Sequence, residues 1–305
     1  MQLSIIIPAY NEQDNISPFY AALKKSLAKT DLSAEIVFVD DGSTDGTSSE
    51  ILKLRVSDKN VKLIQFQRNF GKAAALSAGF EHSTGEQIIT MDADLQDDPA
   101  EIPKFIAALK NADLIVGWKR DRKDPVTKTL PSKFFNALTR VLTGVRVHDS
   151  NCGFKAYRRQ VVENISIYGE LHRYIPALAH WKGFSVDELV VLHHPRLHGK
   201  SKYGISRLSK GFFDLLTVKF LSTYTRRPLH FFGPIGALTS LLGLVFGAYL
   251  FWLWITGQGI GNRPLLFLSV LLIVVGVQFV SLGLLGEMVA NNNQKKEFVI
   301  KKVVG

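Results

Sequence analysis

The chain has 305 residues, of which 46% are hydrophobic, so it has enough apolar material for one large domain or two. Its formal net charge of +10 points to an anionic partner such as nucleic acid, a phosphorylated substrate or an anionic membrane surface. The single cysteine, Cys152, excludes an intramolecular disulfide and any metal site built from several cysteines.

The amino-terminal part repeats one pattern, in which an apolar run leads into a polar cluster. The apolar runs are Leu3 to Pro8, Glu35 to Val39, Val61 to Phe66 and Ile88 to Met91. Helical patterns separate these runs, and this regular alternation predicts an α/β fold with a mainly parallel sheet. Ligands of such sheets bind outside the carboxyl ends of the strands, so we expect the polar clusters to form one site.

The most informative polar cluster comes directly after the fourth apolar run, where Asp92 and Asp94 are separated by one residue. Carboxylate oxygens suit Mg²⁺ or Mn²⁺, and such a cation usually also binds substrate phosphates. An isolated Asp-x-Asp is more often a solvated loop or a helix cap. For Asp40 and Asp41 the alternative interpretation is likewise a turn followed by a helix cap. The interpretation as a binding site therefore depends on the polar clusters occurring together.

Common nucleotide-binding motifs are absent from the sequence. Lys72 follows a glycine, but Gly-x-x-x-x-Gly-Lys-Ser/Thr does not occur, which excludes a P-loop. No Gly-x-Gly-x-x-Gly follows the first strand, which argues against a nicotinamide or flavin enzyme. The spacing of His193, His194 and His198 does not indicate a metal site.

Two late segments, Leu229 to Ile255 and Pro264 to Gly286, contain no charged residue. Each is long enough to cross a hydrocarbon core of about 30 Å as a helix, so we predict two transmembrane helices; the alternative is a buried hairpin in a soluble protein. Positive charges flank the pair, and the connector has only Arg263. The flanking charges are Arg226, Arg227, Lys295, Lys296, Lys301 and Lys302. The positive-inside rule then predicts that both termini are cytoplasmic.

Four motifs, taken together and in order, resemble those of the family 2 GT-A glycosyltransferases. They are Ile7-Pro8-Ala9-Tyr10-Asn11-Glu12, Val39-Asp40-Asp41-Gly42-Ser43-Thr44-Asp45, Asn69-Phe70-Gly71-Lys72 and Met91-Asp92-Ala93-Asp94-Leu95-Gln96-Asp97. Within the family the chain resembles the polyprenyl-phosphate hexose transferases, namely dolichyl-phosphate mannose synthase and the bactoprenol glucosyltransferases. The resemblance covers essentially the whole chain and implies a Rossmann-like GT-A domain.

The resemblance also implies roles for particular residues. It surrounds Mg²⁺ or Mn²⁺ with Asp92, Asp94 and Gln96. It assigns the nucleotide-sugar to Pro8, Tyr10, Asn11, Glu12, Asp40, Asp41, Lys72, Asp92 and Ala93. Lys119 stands where the family often has arginine, in a position expected to contact phosphate.

Two further segments are expected to contact the substrates, one on the acceptor side and one through phosphate of the nucleotide-sugar or of the acceptor. Residues 147–155 resemble the family's acceptor motif, in which Asp149 faces the reacting sugar; a turn capped by Asp149 is the alternative. In the basic loop 196–203 the resemblance makes Arg196 and Lys202 phosphate ligands, whereas a solvated charge run is the ordinary interpretation.

These patterns predict four regions along the chain. Residues 1–204 form the GT-A domain, 228–287 the two-helix transmembrane hairpin and 288–305 a basic cytoplasmic tail. Between them, residues 205–227 have apolar residues at helical spacing, which predicts an amphipathic helix in the headgroup plane. A helix packed on the soluble domain is the alternative for this region.

We therefore expect an inverting, metal-dependent enzyme, with Asp94 and Asp149 as its catalytic residues. It moves one hexose from a nucleotide-sugar to polyprenyl (undecaprenyl) phosphate at the cytoplasmic face of a bacterial inner membrane. UDP-glucose is the expected donor and GDP-mannose the alternative. We expect the lipid bilayer as a partner and no nucleic acid, while glycines of the first span, Gly236, Gly243 and Gly247, would permit a homo-oligomer.

Two other functions are weighed against this one. A processive polysaccharide synthase would carry a Gln-x-x-Arg-Trp motif and usually more spans, and the sequence has neither. A non-catalytic membrane sensor of nucleotide-sugars predicts decay of the metal ligands, whereas Asp92, Asp94 and Gln96 are all present.

Overall fold

The computed structural model describes residues 1–120, 139–140, 143–192, 194 and 228–292. The chain divides into two compact units, one containing a β-sheet and the other containing two long helices. The predicted amphipathic helix at 205–227 lies outside the described residues, as does most of the predicted tail.

A seven-stranded sheet forms the centre of the first unit. Its strands are β1 (Leu3–Ala9), β2 (Ala34–Asp40), β3 (Val61–Gln65), β4 (Gln87–Thr90), β5 (Leu114–Trp118), β6 (Lys155–Arg158) and β7 (Val186–Val190). Their order in the sheet is β3-β2-β1-β4-β6-β5-β7. All neighbours pair in parallel except β6, which is antiparallel to both β4 and β5, so the predicted mainly parallel sheet is confirmed.

Helices connect the strands of the first unit. They are α1 (Gln13–Leu27), α2 (Thr47–Ser57), α3 (Lys72–His82), α4 (Ile102–Ala108), α5 (Arg159–Asn164) and α6 (Ile175–Trp181). In α1, Ile16, Phe19 and Leu23 recur at helical spacing and are fully buried. Burying each such side chain stabilises the fold by about 1.5–3 kcal/mol, so this face holds α1 against the core.

The antiparallel strand β6 determines which residues meet at the edge of the sheet. Its first residue, Lys155, pairs with Thr90, the last residue of β4, and with Val116 of β5. The residues that precede β6, which we call the 149–154 turn, therefore lie beside the residues that come after β4. This topology brings Asp149 and Asp92 to the same edge although they are far apart in the sequence.

The second unit consists of α7 (Leu229–Ile255) and α8 (Pro264–Asn292). Only 17% and 11% of the most apolar windows of the two helices are buried, so they are not the core of a soluble fold. Their length and composition are those of membrane spans, as predicted. The carboxylate of Glu287 accepts a hydrogen bond of 3.3 Å from the backbone N–H of Leu229, which satisfies a donor in the first turn of α7.

Glycines allow α7 and α8 to pack closely. A Cβ added to Gly236 would lie 2.5 Å from the carbonyl oxygen of Gly276, and one added to Gly243 would lie 2.8 Å from that of Ser269. The Ser269 hydroxyl in turn donates to the carbonyl oxygen of Gly243 at 2.8 Å. Gly236 and Gly243 thus contact the neighbouring helix of the same chain, so they give no separate support for the homo-oligomer that the sequence would permit. Oligomerisation stays untested.

Candidate active site

The predicted site residues in the described part of the chain lie at or after the carboxyl ends of β1 to β5 or precede β6, which places them at one edge of the sheet. At this edge the β1–α1 and β2–α2 loops are joined by hydrogen bonds. The backbone N–H of Asn11 donates to the Ser43 hydroxyl and that of Thr44 donates to the Asn11 side-chain oxygen, both at 2.9 Å. Asn11 has a left-handed φ of 55°, which a short polar side chain tolerates.

Tyr10 and Glu12 lie on the β1–α1 loop and Pro8 near the end of β1, and all three are partly exposed. The backbone N–H of Glu12 donates to the hydroxyl of Thr47 at 2.9 Å, and its carboxylate accepts from Asn15 at 2.5 Å. The loops therefore form an ordered platform, in which the partly exposed side chains can contact a ligand.

Asp40 and Asp41 are buried and bind backbone groups of the neighbouring loops. Asp40 accepts from the backbone N–H of Ser43 at 2.9 Å and from the Ser48 hydroxyl, so it caps its own turn. Asp41 accepts from the backbone N–H groups of Phe70 at 2.7 Å and Gly71 at 2.9 Å. The turn-and-cap interpretation thus describes the contacts of Asp40, while Asp41 fixes the loop that leads to Lys72.

A cleft of about 320 Å³ lies beside these loops, at the carboxyl ends of β2 and β3. It is lined by Gly42, Ser43, Thr44, Gln65, Phe66 and Gln67. Its volume falls at the lower end of the range of about 300–1,000 Å³ that is typical of small-molecule sites.

Lys72, the first residue of α3, makes an ion pair with the Oδ1 atom of Asp92. About a third of each side chain is exposed, at 31% and 32%. Burial lowers the pKa of Lys72, but the Asp92 carboxylate more than offsets this and raises it above its ordinary value. Lys72 is therefore a charged ammonium at neutral pH.

The 149–154 turn approaches Asp92 from the other side. A Cβ added to Gly153 would lie 2.5 Å from the Oδ2 atom of Asp92, so only glycine fits here without displacing the carboxylate. The Thr90 hydroxyl donates to the carbonyl oxygen of Gly153 at 2.9 Å and fixes the turn in this position. Asp149 is buried at the start of the same turn.

Lys155 lies beneath the 149–154 turn and is only 3% exposed. Its ammonium donates to the carbonyl oxygen of Cys152, and burial lowers its pKa to about 8. Burial also raises the pKa of the Cys152 thiol to about 12, so this thiol is neutral and is not a nucleophile at neutral pH.

Lys119, at the end of β5, makes a buried ion pair of 2.7 Å with Asp97. Burial lowers the pKa of Lys119, but nearby acidic groups that include Asp97 raise it above its ordinary value. The ammonium therefore holds the loop after β4 in this structure. The predicted phosphate contact of Lys119 stays a prediction.

The remaining predicted metal ligands come after Asp92 on that loop. The chain turns at Leu95, which has a φ of 58°, and the backbone N–H of Gln96 donates to the Oδ1 atom of Asp94 at 3.2 Å. This turn leaves Asp94 buried, although its position beyond a strand end suggests an exposed side chain. Ala93 packs its side chain in the core, so it can contact a ligand only through its backbone.

The donor atoms suit a hard divalent cation, because two carboxylates and the Gln96 amide supply oxygen ligands. Within the described ranges no group of three or more His, Cys, Asp or Glu side chains is arranged to hold a metal. Asp92, Asp94 and Gln96 therefore fit Mg²⁺ or Mn²⁺ if substrate phosphates and water complete the coordination, as is usual for Mg²⁺.

His194, two residues before the predicted basic loop, lies beside this cluster. The backbone N–H of His194 donates to the carbonyl oxygen of Gln96 at 2.8 Å, and its ring lies 3.5 Å from Asp98. Arg196 and Lys202 lie outside the described residues.

Sequence reasoning missed several residues that shape the site, chiefly Asp97, Gly153 and Lys155, and the glutamines of the cleft. Gly153 and Lys155 belong to residues 147–155, which resemble the acceptor motif, and this resemblance is the one feature of the sequence that points to them. Nothing in the sequence indicates that Lys155 is buried or that Gly153 contacts Asp92.

Comparisons with known proteins agree with this architecture. The profile described as glycosyl transferase family 2 matches residues 4–166, and that of the GtrB C-terminal hairpin matches residues 227–291. Dodecaprenyl-phosphate galacturonate synthase of Rhizobium johnstonii is 38% identical over 300 residues, which cover 95% of this chain and 88% of the relative. Undecaprenyl-phosphate 4-deoxy-4-formamido-L-arabinose transferase of Shewanella sediminis is 38% identical over 295 residues, covering 94% of this chain and 86% of the relative.

Solved structures show the same fold at low sequence identity. Glucosyl-3-phosphoglycerate synthase from Mycobacterium tuberculosis, in complex with Mn²⁺, UDP-glucose and glycerol 3-phosphate, matches with a TM-score of 0.53 and 15% identity. The match covers 72% of this chain and 79% of that chain. The family profile extends over half of the chain and the two relatives match nearly all of it, so this protein belongs to glycosyl transferase family 2 and is a glycosyltransferase with a carboxyl-terminal helical hairpin.

Proposed function

We propose that the protein transfers one sugar from a nucleotide-sugar to a polyprenyl phosphate at the membrane surface. One observation carries this proposal. At one edge of the sheet the structure brings together the joined β1–α1 and β2–α2 loops, Asp92 and the 149–154 turn. A nucleotide platform, a cation site and an acceptor-side turn are thereby within reach of one donor molecule. The names of the two relatives, each a polyprenyl-phosphate sugar synthase or transferase, support the acceptor class.

The reaction is a single displacement with inversion. An acceptor phosphate oxygen forms a bond to the anomeric carbon of the sugar, and the bond between that carbon and the nucleoside diphosphate breaks. The acceptor phosphate is already anionic at neutral pH, so it needs little help from a general base. Positioning and electrostatic stabilisation of the leaving group supply most of the acceleration.

Residues of this chain have distinct parts in that step. The end of β1 and the loop after it, which carry Pro8, Tyr10, Asn11 and Glu12, hold the nucleoside. Asp40 keeps the β2–α2 loop ordered, and Asp41 orders the loop that leads to Lys72. Asp92, Asp94 and Gln96 would hold Mg²⁺ or Mn²⁺, and the bound cation would supply positive charge to stabilise the leaving diphosphate.

On the other side of the sugar, the buried carboxylate of Asp149 orients the acceptor or stabilises positive character on the sugar. Lys119, Arg196 and Lys202 are the proposed phosphate contacts.

The helical hairpin holds the site at the bilayer. Positive charges on both flanks of the hairpin indicate that the first unit and both termini are cytoplasmic. A bacterial inner membrane with undecaprenyl phosphate as acceptor fits this arrangement. The domain boundaries that we propose are those predicted from the sequence, at 204, 227 and 287.

A panel of nucleotide-sugars tests which sugar the protein transfers. The sequence resemblance favours UDP-glucose over GDP-mannose, whereas the relatives are named for galacturonate and 4-deoxy-4-formamido-L-arabinose. Full-length protein, undecaprenyl phosphate and each nucleotide-sugar should be combined, and released nucleoside diphosphate measured. We expect release with one donor to exceed the others by tenfold or more, about the discrimination that one or two pocket contacts provide. Absence of glycolipid with every donor would contradict the proposed function.

A further inference from the structure

We propose that Lys72 is an internal counter-ion, which occupies Asp92 until a nucleoside diphosphate draws the ammonium away and allows the divalent cation to bind. This inference rests on the proposed function, because it assumes that Asp92 is a cation ligand. Lys72 is already expected to contact the nucleotide-sugar. The inference adds a second role, which is to control when the cation binds.

The geometry distinguishes Lys72 from the other lysines described around these carboxylates. Lys119 is paired with the buried Asp97, and Lys155 is itself buried and bound to the Cys152 carbonyl oxygen. The pair formed by Lys72 and Asp92, by contrast, is about one-third exposed on both sides. Water reaches both partners of this pair, so incoming ions can compete with Lys72 for Asp92.

Electrostatics then links the two ligands. Lys72 occupies the Oδ1 atom of Asp92 and Gly153 lies against its Oδ2 atom, so a divalent cation that binds Oδ1 has to displace the ammonium, which it also repels. A displaced ammonium is best stabilised by another anion, and the incoming diphosphate supplies one. The cation and the diphosphate should therefore bind with positive coupling, and part of that coupling should pass through the Lys72 side chain.

Binding of Mn²⁺ to the full-length protein in detergent micelles tests this directly. Free Mn²⁺ is measured by electron paramagnetic resonance, without nucleotide and with UDP or GDP. Relative to wild type, Lys72→Met should bind Mn²⁺ about fivefold more tightly without nucleotide, since it loses a competing ion pair of modest strength. The enhancement of Mn²⁺ affinity by the diphosphate should fall by about the same factor.

Three variants control for other effects of the substitution. Lys72→Arg keeps the charge and should bind Mn²⁺ as weakly as wild type. Lys53→Met removes a lysine from an exposed ion pair with Glu50 on α2, and should also leave Mn²⁺ binding unchanged. Adding Asp92→Asn to Lys72→Met should abolish the tighter binding, which assigns the gain to this site. Lys72→Gln replaces Lys72→Met if the latter misfolds.

The outcomes separate this inference from the function on which it rests. Equal or weaker Mn²⁺ binding by Lys72→Met, in protein whose wild type binds Mn²⁺ with nucleotide, would overturn the role of Lys72 alone. A wild-type protein that binds no Mn²⁺ with any nucleotide would contradict the metal site and the counter-ion together. Tighter binding by both Lys72→Met and Lys53→Met would reduce the effect to net charge and also overturn the inference.

Discussion

Single residues at the site are organised by compensation of charge. Asp92 has Lys72 as its partner and Asp97 has Lys119, while the buried Lys155 donates to the carbonyl oxygen of Cys152. A compensated cluster avoids the large cost of burying unpaired charge. On the proposed role of Lys72, such a site would gain its divalent cation together with an anionic substrate.

Asp94→Ala tests the metal assignment at this scale. The substitution removes a cation ligand, and we expect turnover to fall at least about a hundredfold because charge on the leaving group is no longer neutralised. Chelation with EDTA should cause the same loss in the wild type, reversed by Mg²⁺ or Mn²⁺. Asp31→Ala, which changes an exposed aspartate, is the matched control. Near-normal activity of Asp94→Ala in saturating metal would rule out this role.

Glu35 lies near the start of β2, at the end of the strand away from the site, and its charge contributes to stability. Its buried carboxylate accepts from the Ser4 hydroxyl at 2.5 Å and the backbone N–H of Thr84 at 2.6 Å, and pairs with Lys62 at 2.6 Å. Burial by itself raises the pKa of Glu35, but Lys62, Ser4 and Thr84 together lower it from 4.5 to about 2.

Because this pKa is lower in the folded state, the stabilisation is fully present above about pH 4.5 and is lost as the pH falls through 2. Glu35→Gln should cost about 3 kcal/mol at pH 7, and the difference from wild type should vanish near pH 2. Urea unfolding followed by tryptophan fluorescence measures the cost at both pH values, with Glu50→Gln, whose side chain is 25% exposed, as the control. A difference that does not change between pH 7 and pH 2.5 would contradict the ionic origin.

At the scale of elements, structure that depends on local periodicity is predictable from the sequence, whereas structure that depends on strand order is not. The apolar runs predict β1 to β4 nearly as they occur, because buried parallel strands require continuous apolar sequence. The first span is predicted at its observed bounds, Leu229–Ile255, because the long uncharged run has the length of a membrane-spanning helix. The antiparallel insertion of β6 carries no local signal, so the contact of Gly153 with Asp92 could not be foreseen.

Strands β5 and β7 hold the start of the 149–154 turn through His148. The His148 backbone N–H donates to Glu188 Oε2 at 2.7 Å and its ring nitrogen lies 2.5 Å from Oε1. The ring also stacks on Trp118, with centroids 4.1 Å apart. Three contacts from two strands therefore position the residue that precedes Asp149.

His148→Ala should loosen Asp149 and lower turnover about tenfold, while the dissociation constant of the nucleotide stays unchanged, because small displacements of a positioned group affect the rate more than donor binding. Glu188→Gln should show a smaller effect in the same direction. Steady-state kinetics and nucleotide binding separate the two quantities, and Glu163→Gln on the exposed face of α5 is the control. Weaker nucleotide binding with unchanged turnover would refute this positioning role.

On the scale of the whole molecule, a family 2 catalytic unit is combined with a hairpin whose helices are largely exposed along their apolar length. Such a hairpin is stable in lipid, where its outer surface is solvated by hydrocarbon. Its proposed contribution to activity is to keep the site at the surface on which a polyprenyl phosphate is concentrated.

A protein truncated near Thr225 should retain binding of nucleotide-sugar and cation if it stays soluble. It should glycosylate a long-chain polyprenyl phosphate poorly, because it loses the high local concentration of acceptor at the bilayer. A short water-soluble prenyl phosphate should be used almost as well as by the full-length protein. Equal losses with the two acceptors would mean that the hairpin supports folding rather than acceptor delivery.

In the proposed reaction, sugar passes from a nucleotide-sugar to a polyprenyl phosphate at the edge of the sheet that carries Asp92 and Asp94. Release of nucleoside diphosphate and formation of glycolipid should be measured together, with the full-length protein in lipid, with and without undecaprenyl phosphate. We predict equimolar release and glycolipid formation that depend on the acceptor, stop at one sugar per lipid and are lost in Asp94→Ala. Release that ignores the acceptor, a growing polysaccharide, or nucleotide-sugar binding without any turnover would contradict it.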